Sequence, residues 1–217
     1  MHSHSASKPT SLGPRHSAKA RDATPITARV FLRQRRRQIL ADTAALLMAG
    51  DDPDSVVLPA LHQALAAERI VDASLGFIVT EMNEGMKLGF IKGFPKAVIE
   101  RCVTLDFGQA ICGTVAATRQ PMHVTDIQRS LDPLADLVRS AGISAYACEP
   151  LMVGDRMLGT LSFASRTRRS FDAEDILFFR AIAKRVAMAR DRARKRNPSA
   201  LAANGPKASK HPVDNPA

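Results

Sequence analysis

Ser144–Val153 reads SAYACEPLMV, Gly154-Asp155 follows, and Arg156–Ser165 reads RMLGTLSFAS. The two apolar runs flank a turn whose glycine and aspartate supply the positive-φ positions of a tight hairpin, and each run is long enough to be a central strand. Within six residues comes Phe171-Asp172-Ala173-Glu174-Asp175, a helix start. Asp172 is placed as its N-cap, accepting from the N–H of Asp175. Glu174 and Asp175 suit the positive helix end, and Phe171 can staple onto Ile176. A hairpin feeding a long helix therefore organises the fold, which is of the α+β class.

Upstream, Phe107–Val124 (FGQAICGTVAATRQPMHV) reads as a glycine bend, a small-residue helix and a short strand, followed by Thr125-Asp126-Ile127. In this order, FGQAICGTVAATRQPMHVTDI, YACEPLMVGDRMLGTLSFASR and FDAEDILFFRAIAKRVA resemble the GAF family of sensory domains, over roughly Gln38 to Arg192. The resemblance implies a GAF-type antiparallel sheet flanked by helices, with the N- and C-terminal helices packed together on one face.

The remaining elements follow from periodicity. Val30 to Ala49 has helical spacing through Ile39, Leu40, Leu46 and Leu47 and stops at Gly50-Asp51-Asp52-Pro53. A second helix is predicted from near Ser55 to Val71, with Leu58, Leu61 and Leu65 on one stripe and Pro59 in the first turn, where a missing N–H costs little. The period then changes to two: Leu75, Phe77 and Val79 alternate with Gly76, Ile78 and Thr80, and a partner strand runs from Met86 to Lys92 after a turn at Asn83-Glu84-Gly85. Phe94 to Arg101 reads as a short helix or turn and Cys102 to Leu105 as a strand. Arg129 to Gly142 reads as a loop with a turn and a half of helix, Leu134, Leu137 and Val138 sharing a face.

The net charge of +10 is unevenly placed. Residues 1–37 carry nine Lys/Arg against Asp22, residues 184–217 carry nine against Asp191 and Asp214, and residues 38–183 sum to −5. Both ends are Pro- and Ser-containing and poor in apolar side chains, so neither offsets its ordering entropy. The organisation expected is a disordered basic tail over 1–29, a single GAF domain with flanking helices over 30–196, and a second disordered tail over 197–217. The basic ends have two readings, as solvated charge or as attraction for nucleic acid or an anionic membrane surface through counterion release, and the first is favoured. The first 30 residues hold no apolar stretch of signal-peptide length and nowhere do 18 apolar residues run uninterrupted, so a cytoplasmic location without a membrane span is expected. Cys102, Cys112 and Cys148 fall within predicted core elements, which suits a reducing compartment.

If the last helix continues to Arg196 it is about 37 Å long, more than its own core needs. Domains resembling this one use such helices as a dimer stalk. Arg190, Arg192, Arg194, Lys195 and Arg196 interrupt a coiled-coil seam, leaving a short helical-bundle homodimer in which Leu40, Leu47, Phe179 and Val186 are shared between subunits. No kinase motif, phosphate-cradling glycine loop or helix-turn-helix pair is legible, so a signal would pass to a separate output protein.

The resemblance implies a small-ligand cavity on one sheet face, roofed by the stretch from Asp126 to Gly142. It places Phe107, Cys112, His123 and Asp126 near that cavity, together with Leu137, Tyr146, Cys148 and Ser162. Each also has a plainer role: His123 as a strand histidine satisfied locally, Asp126 as a cap of the turn at Ile127, Tyr146 as core packing, Cys112 as a small apolar filler. Cys148 is followed by Glu149-Pro150 and not by the histidine usual in bilin-attaching members, and the Asn-Lys-x-x-x-Phe-x-x-x-Asp-Glu motif of cyclic-nucleotide-binding members is missing. His2 and His4 lie in the tail, so no metal centre is expected. The ligand is expected to be a small organic or anionic molecule, with no cofactor named.

An enzymatic alternative rests on the cysteines. GAF proteins that reduce free methionine sulfoxide carry a pair spaced as Cys102 and Cys112 are in CVTLDFGQAICG. They also carry an attacking cysteine in the following loop, where Arg129 to Gly142 has none. Cys148 lies in a predicted strand beside Glu149, where a thiolate is disfavoured. The sequence therefore points to a non-enzymatic sensor, with the thiol-dependent reductase as the alternative and a basic-tailed nucleic-acid accessory as the third reading.

Overall fold

A computed structural model describes residues 26–80 and 85–196. The expectations for residues 1–25 and 197–217, and for Asn83 and Glu84 in the first hairpin turn, lie outside the described residues.

Helix α1 spans Ile26–Ala49 and ends at Gly50, whose φ of 92° suits glycine. Asp52 then caps a π-helical turn, Pro53–Val57, accepting from the N–H groups of Asp54 and Ser55. It leads directly into α2, Leu58–Ala67. The predicted second helix is thus two pieces and stops earlier than Val71, because Arg69 turns at φ 54° to start the sheet.

Strands β1 (Ala73–Val79) and β2 (Gly85–Lys92), then α3 (Lys96–Arg101) and β3 (Thr104–Asp106), form the first half. Cys102, expected in a strand, is the C-cap of α3. Helix α4 (Ala110–Thr118) and β4 (Met122–Val124) follow. Two 3-10 turns, Ile127–Arg129 and Pro133–Ala135, then lead to α5 (Asp136–Ser140). The hairpin of β5 (Ala145–Val153) and β6 (Arg156–Ser165) turns on Gly154 alone; Asp155 has no positive φ. Helix α6, Ala173–Arg196, closes the fold.

The strands form one antiparallel sheet in the order β3-β2-β1-β6-β5-β4. One face is covered by α2, α6 and α1, with α1 on α6, as the resemblance implied. Its core holds Leu58, Leu61, Phe163, Phe179, Ile182 and Val186, with Phe163 stacked on Phe179 at 4.1 Å between ring centroids. The other face is covered by α3, α4 and α5.

Strand alternation divides the chemistry. Tyr146 and Cys148 of β5 face α4, while Ala147 and Leu151 face α6. In β6 the parity shifts at Gly159, which stands at φ 147° beside a bulge that pairs Leu151 with Gly159 but Met152 with Met157.

Helix α6 begins as expected: the Asp175 N–H donates to Asp172 at 2.7 Å, and the Asp172 N–H donates back to Asp175 at 3.1 Å. Phe171 meets Phe179 edge-on, so the staple is aromatic. The expected sharing of Leu47, Phe179 and Val186 between subunits is overturned, since all three are buried within the single chain. The exposed large apolar side chains on these helices, among the described residues, are Val30, Phe31, Met48, Leu177 and Met188. Two arginines of the basic runs also point inward. Arg36 pairs with Asp175, and Arg190 pairs with Asp54, so neither is solvated charge. No helix among the described residues is long and apolar enough to cross a membrane.

Candidate functional site

Helix α4 lies close over the sheet because its residues are small and because Gly113 approaches the Asp106 carbonyl so nearly that a Cβ there would sit 2.3 Å from it. Gly108 makes the bend before the helix at φ 86°. Ala110, at φ 51°, opens the helix in a conformation that costs a non-glycine residue about 1–2 kcal/mol.

This placement drives Cys112 onto the sheet. Its Sγ lies 3.1 Å from Tyr146 Oη, 3.4 Å from Ser162 Oγ and 3.8 Å from Cys148 Sγ. Hydrogen bonding from Cys148, aided by Ser162 and Tyr146, outweighs burial and lowers the Cys112 thiol to about 7. Burial first, and the Cys112 neighbour second, push Cys148 and Tyr146 well above their ordinary values. Cys102 is raised by burial to about 11. All three cysteines are free thiols.

Beside Cys112 lies a cavity walled by Leu75 and Phe77 of β1, Ile111 of α4 and Tyr146 of β5. Phe94, Val98 and Cys102 close a second side, and Leu134, Leu137 and Val138 form the roof. The cavity measures about 10 Å³, room for the centre of one water. The expected roof over residues 126–142 therefore exists, but it is shut. It is pinned by Gln128 Nε2, which donates to the Ile143 carbonyl at 2.7 Å and the Arg139 carbonyl at 3.1 Å, and by Arg139, which donates to the Ser130 carbonyl at 2.8 Å.

Of the residues placed near a cavity by sequence, Cys112, Leu137 and Tyr146 line it. Cys148 and Ser162 stand behind Cys112, in hydrogen-bond contact with it, and Phe107 packs on the same cluster without lining the void. His123 is a correction. It pairs opposite Ala147, hence on the α6 face, and its Nε2 lies 2.7 Å from Glu149, which Arg180 also approaches. Asp126 is a second correction: it neither lines the cavity nor caps the turn at Ile127, but turns at φ 50° and pairs with Arg169 at 2.5 Å.

The wall that sequence reading missed is Phe94, Val98 and Cys102. Their i, i+4, i+8 spacing was the available signal. No cluster of three or more His, Cys, Asp or Glu able to hold a metal occurs among the described residues.

A family model described as a GAF domain matches residues 55–191. The chain belongs to the GAF domain family. No curated protein matches it in sequence. Among solved structures, this GAF protein is similar to the GAF domain of a phosphoenolpyruvate-protein phosphotransferase from Coxiella burnetii, at 19% identity and TM-score 0.63, covering 76% of this chain and 98% of that one. It is likewise similar to the free methionine-R-sulfoxide reductase of Neisseria meningitidis, solved with its substrate, at 20% identity and TM-score 0.61, covering 74% and 91%. The reduced form of fRMsr from Staphylococcus aureus is similar at 18% identity and TM-score 0.57, covering 71% and 94%. At these identities the likeness is one of fold. It extends to the GAF domain of a phosphotransferase and to reductases alike.

Proposed function

We propose that this GAF protein is a non-catalytic sensor module, in which a small molecule enters beneath the 126–142 roof and changes how α1 and α6 pack, passing the signal to a separate output protein. The observation that carries this reading is the two-sided use of β5: Tyr146 and Cys148 meet the cavity region, while Ala147 and Leu151, alternating with them, meet the α6 side. A guest that displaces Tyr146 acts on a strand that α6 rests upon. Such a guest shifts the helices only by its differential affinity for their two arrangements.

The shut roof means that binding requires it to lift. Among the described residues no lysine, arginine or histidine lines the cavity, so support for an anionic ligand is withdrawn, and a small, mainly apolar molecule with one polar atom for Tyr146 or Cys112 fits better. Exposed Phe31, Met48, Leu177 and Met188 support a homodimer through the outer faces of α1 and α6.

Native mass spectrometry of freshly purified protein, followed by hydrogen exchange with and without any co-purified molecule, tests the reading. Slower exchange over residues 126–142 together with a change over α6 is expected. Protection of the roof with α6 unmoved would refute the relay.

Reduction of free methionine sulfoxide is a second reading, favoured by Cys102 and Cys112 lining one cavity. Against it, Cys102 at about 11 is protonated at neutral pH, and the roof stretch carries no cysteine. Turnover in a thioredoxin-coupled NADPH assay would replace the sensor with this enzyme.

A further inference from the structure

The geometry points to Cys112 and Cys148 as a modification site for hydrogen peroxide, which enters the cavity, oxidises Cys112 and leaves a Cys112–Cys148 disulfide. The two sulfurs are 3.8 Å apart and unbonded. A disulfide needs about 2.05 Å, so under about 2 Å of closure is required. Their positions assign the order of events. Cys112 lines the cavity and meets the oxidant, while Cys148, fully buried behind it in β5, can reach only Cys112.

The cavity sets the oxidant's size. Room for about one water admits hydrogen peroxide with small adjustment and excludes tripeptide disulfides. Tyr146 Oη and Ser162 Oγ, at 3.1 Å and 3.4 Å from the Cys112 sulfur, favour its thiolate over the neutral thiol. The lowering of that thiol to about 7 agrees with this, whereas Cys102 at about 11 shares the cavity as an inert thiol.

In the first step the Cys112 thiolate attacks one peroxide oxygen and the O–O bond breaks. Cys112 becomes a sulfenic acid, and the departing hydroxide takes up the thiol's proton as water. The Cys148 sulfur then attacks the Cys112 sulfur, the S–O bond breaks, and hydroxide leaves with the Cys148 proton as a second water. Two thiols and one peroxide give one disulfide and two waters, two electrons passing from sulfur to oxygen. The bond would tie α4 to β5 and remove the sulfur partner of Tyr146. Transmission onward to α6 rests on the sensory reading, but disulfide formation does not.

The test exposes the full-length protein, freed of reductant, to near-stoichiometric hydrogen peroxide, then alkylates it in denaturant and maps the peptides by mass spectrometry. A linked Cys112–Cys148 peptide is expected, with Cys102 still alkylated and Cys112 lost on the order of tenfold faster than Cys102. Loss of both at equal rates, a disulfide that includes Cys102, or Cys112 persisting as a thiol would overturn the proposal. Cys148→Ser should leave a sulfenic acid that dimedone traps. Should that variant misfold, Cys148→Ala, which keeps a small apolar side chain in β5, should leave the same trappable sulfenic acid, and no trapping in a folded Cys148→Ala protein counts against the assignment. Oxidised glutathione should react at least about tenfold more slowly than peroxide, and equal rates would refute gating by the cavity. A disulfide that forms while α6 exchange stays the same sustains the modification and removes the relay.

Discussion

Arg190 of α6 donates through Nη1 to the backbone carbonyl of Phe77 at 2.8 Å, and the Phe77 side chain lines the cavity on the opposite face of the sheet. Its Nη2 pairs with Asp54, so one buried guanidinium joins the last helix, the central strand β1 and the turn before α2. Gly76 and Gly159 leave the space it occupies, since a Cβ at Gly159 would fall 2.8 Å from Arg190 Nη1. The sheet is thus thinned at the point where a cation from the helix layer reaches β1.

Arg190→Met should therefore cost about 3 kcal/mol, because it leaves the Asp54 carboxylate and the Phe77 carbonyl without their partner in a low-dielectric site. Urea unfolding checks the magnitude. Hydrogen exchange should rise first along α6, and a loss below about 1 kcal/mol would show that water replaces the guanidinium at little cost.

Gly159→Ala should be worse than most glycine substitutions. A Cβ there would lie 1.9 Å from the Phe77 carbonyl oxygen, and the φ of 147° is one that L side chains rarely adopt. A loss of about 3 kcal/mol or more is expected. Gly108→Ala is the control, with positive φ but nothing within 4 Å of its Cβ, and should cost about 1 kcal/mol from strain alone. Thermal denaturation of the two variants separates a clash from a backbone preference.

Much of this architecture was legible because period and punctuation agreed. Arg156–Ser165 carries its strand signal and Asp172 its cap, and both stand where local chemistry put them. The helix pairing came from the family resemblance, and the partner of the apolar stripe was not legible: Phe179 and Val186 look the same whether buried by a second copy or by β5 and β6. At the site, Tyr146 and Cys148 alternate visibly with Ala147 and Glu149. The face of His123 was hidden, since a three-residue strand takes its orientation from the register with β5. Arg190 read as one more charge in a basic run, because the acid and the carbonyl that hold it lie more than 100 positions away in the chain.

Asp72 should govern part of the acid stability. Burial would raise its carboxyl, but hydrogen bonds from Ser165 Oγ at 2.6 Å, the Arg166 N–H at 2.7 Å and the Thr167 N–H bring it below the ordinary 3.8. A carboxyl depressed in the folded state contributes stability that is present above its unfolded value and is lost as pH falls through the folded one. The wild-type protein should lose stability as pH drops below about 4, and Asp72→Asn should be less stable at pH 7 but show a shallower acid loss. Denaturant titrations at a series of pH values read the slope; identical slopes would remove Asp72 from the account.

Tyr146→Phe tests the polar lining separately from the packing. The ring stays, the Cys112 sulfur loses one hydrogen-bond partner, and about 1 kcal/mol of stability goes with it. Because that bond helps to lower the Cys112 thiol, its titration, followed by the ultraviolet absorbance of the thiolate, should move upward from about 7. Ser162→Ala should move it the same way. A midpoint unchanged in both would mean that Cys148 alone sets the value.

Gln128 is the residue by which the roof can be loosened without touching its apolar underside. Its Nε2 donates to two carbonyls, those of Ile143 and Arg139, and so ties the start of the roof to its end. Ile127 beside it is fully buried and continues to anchor the chain in the Gln128→Ala variant. Loss of the two bonds should cost about 1 kcal/mol globally, since each was exchanged for water on folding. The local effect should be larger than the global one. Opening of residues 130–142 needs only the release of α5 and the Pro133–Ala135 turn, so their exchange should quicken severalfold while β5 and β6 stay protected. If the cavity is a binding site gated by this roof, the same variant should take up small apolar molecules faster than the wild type. Faster exchange without faster uptake would separate the motion of the roof from entry to the cavity.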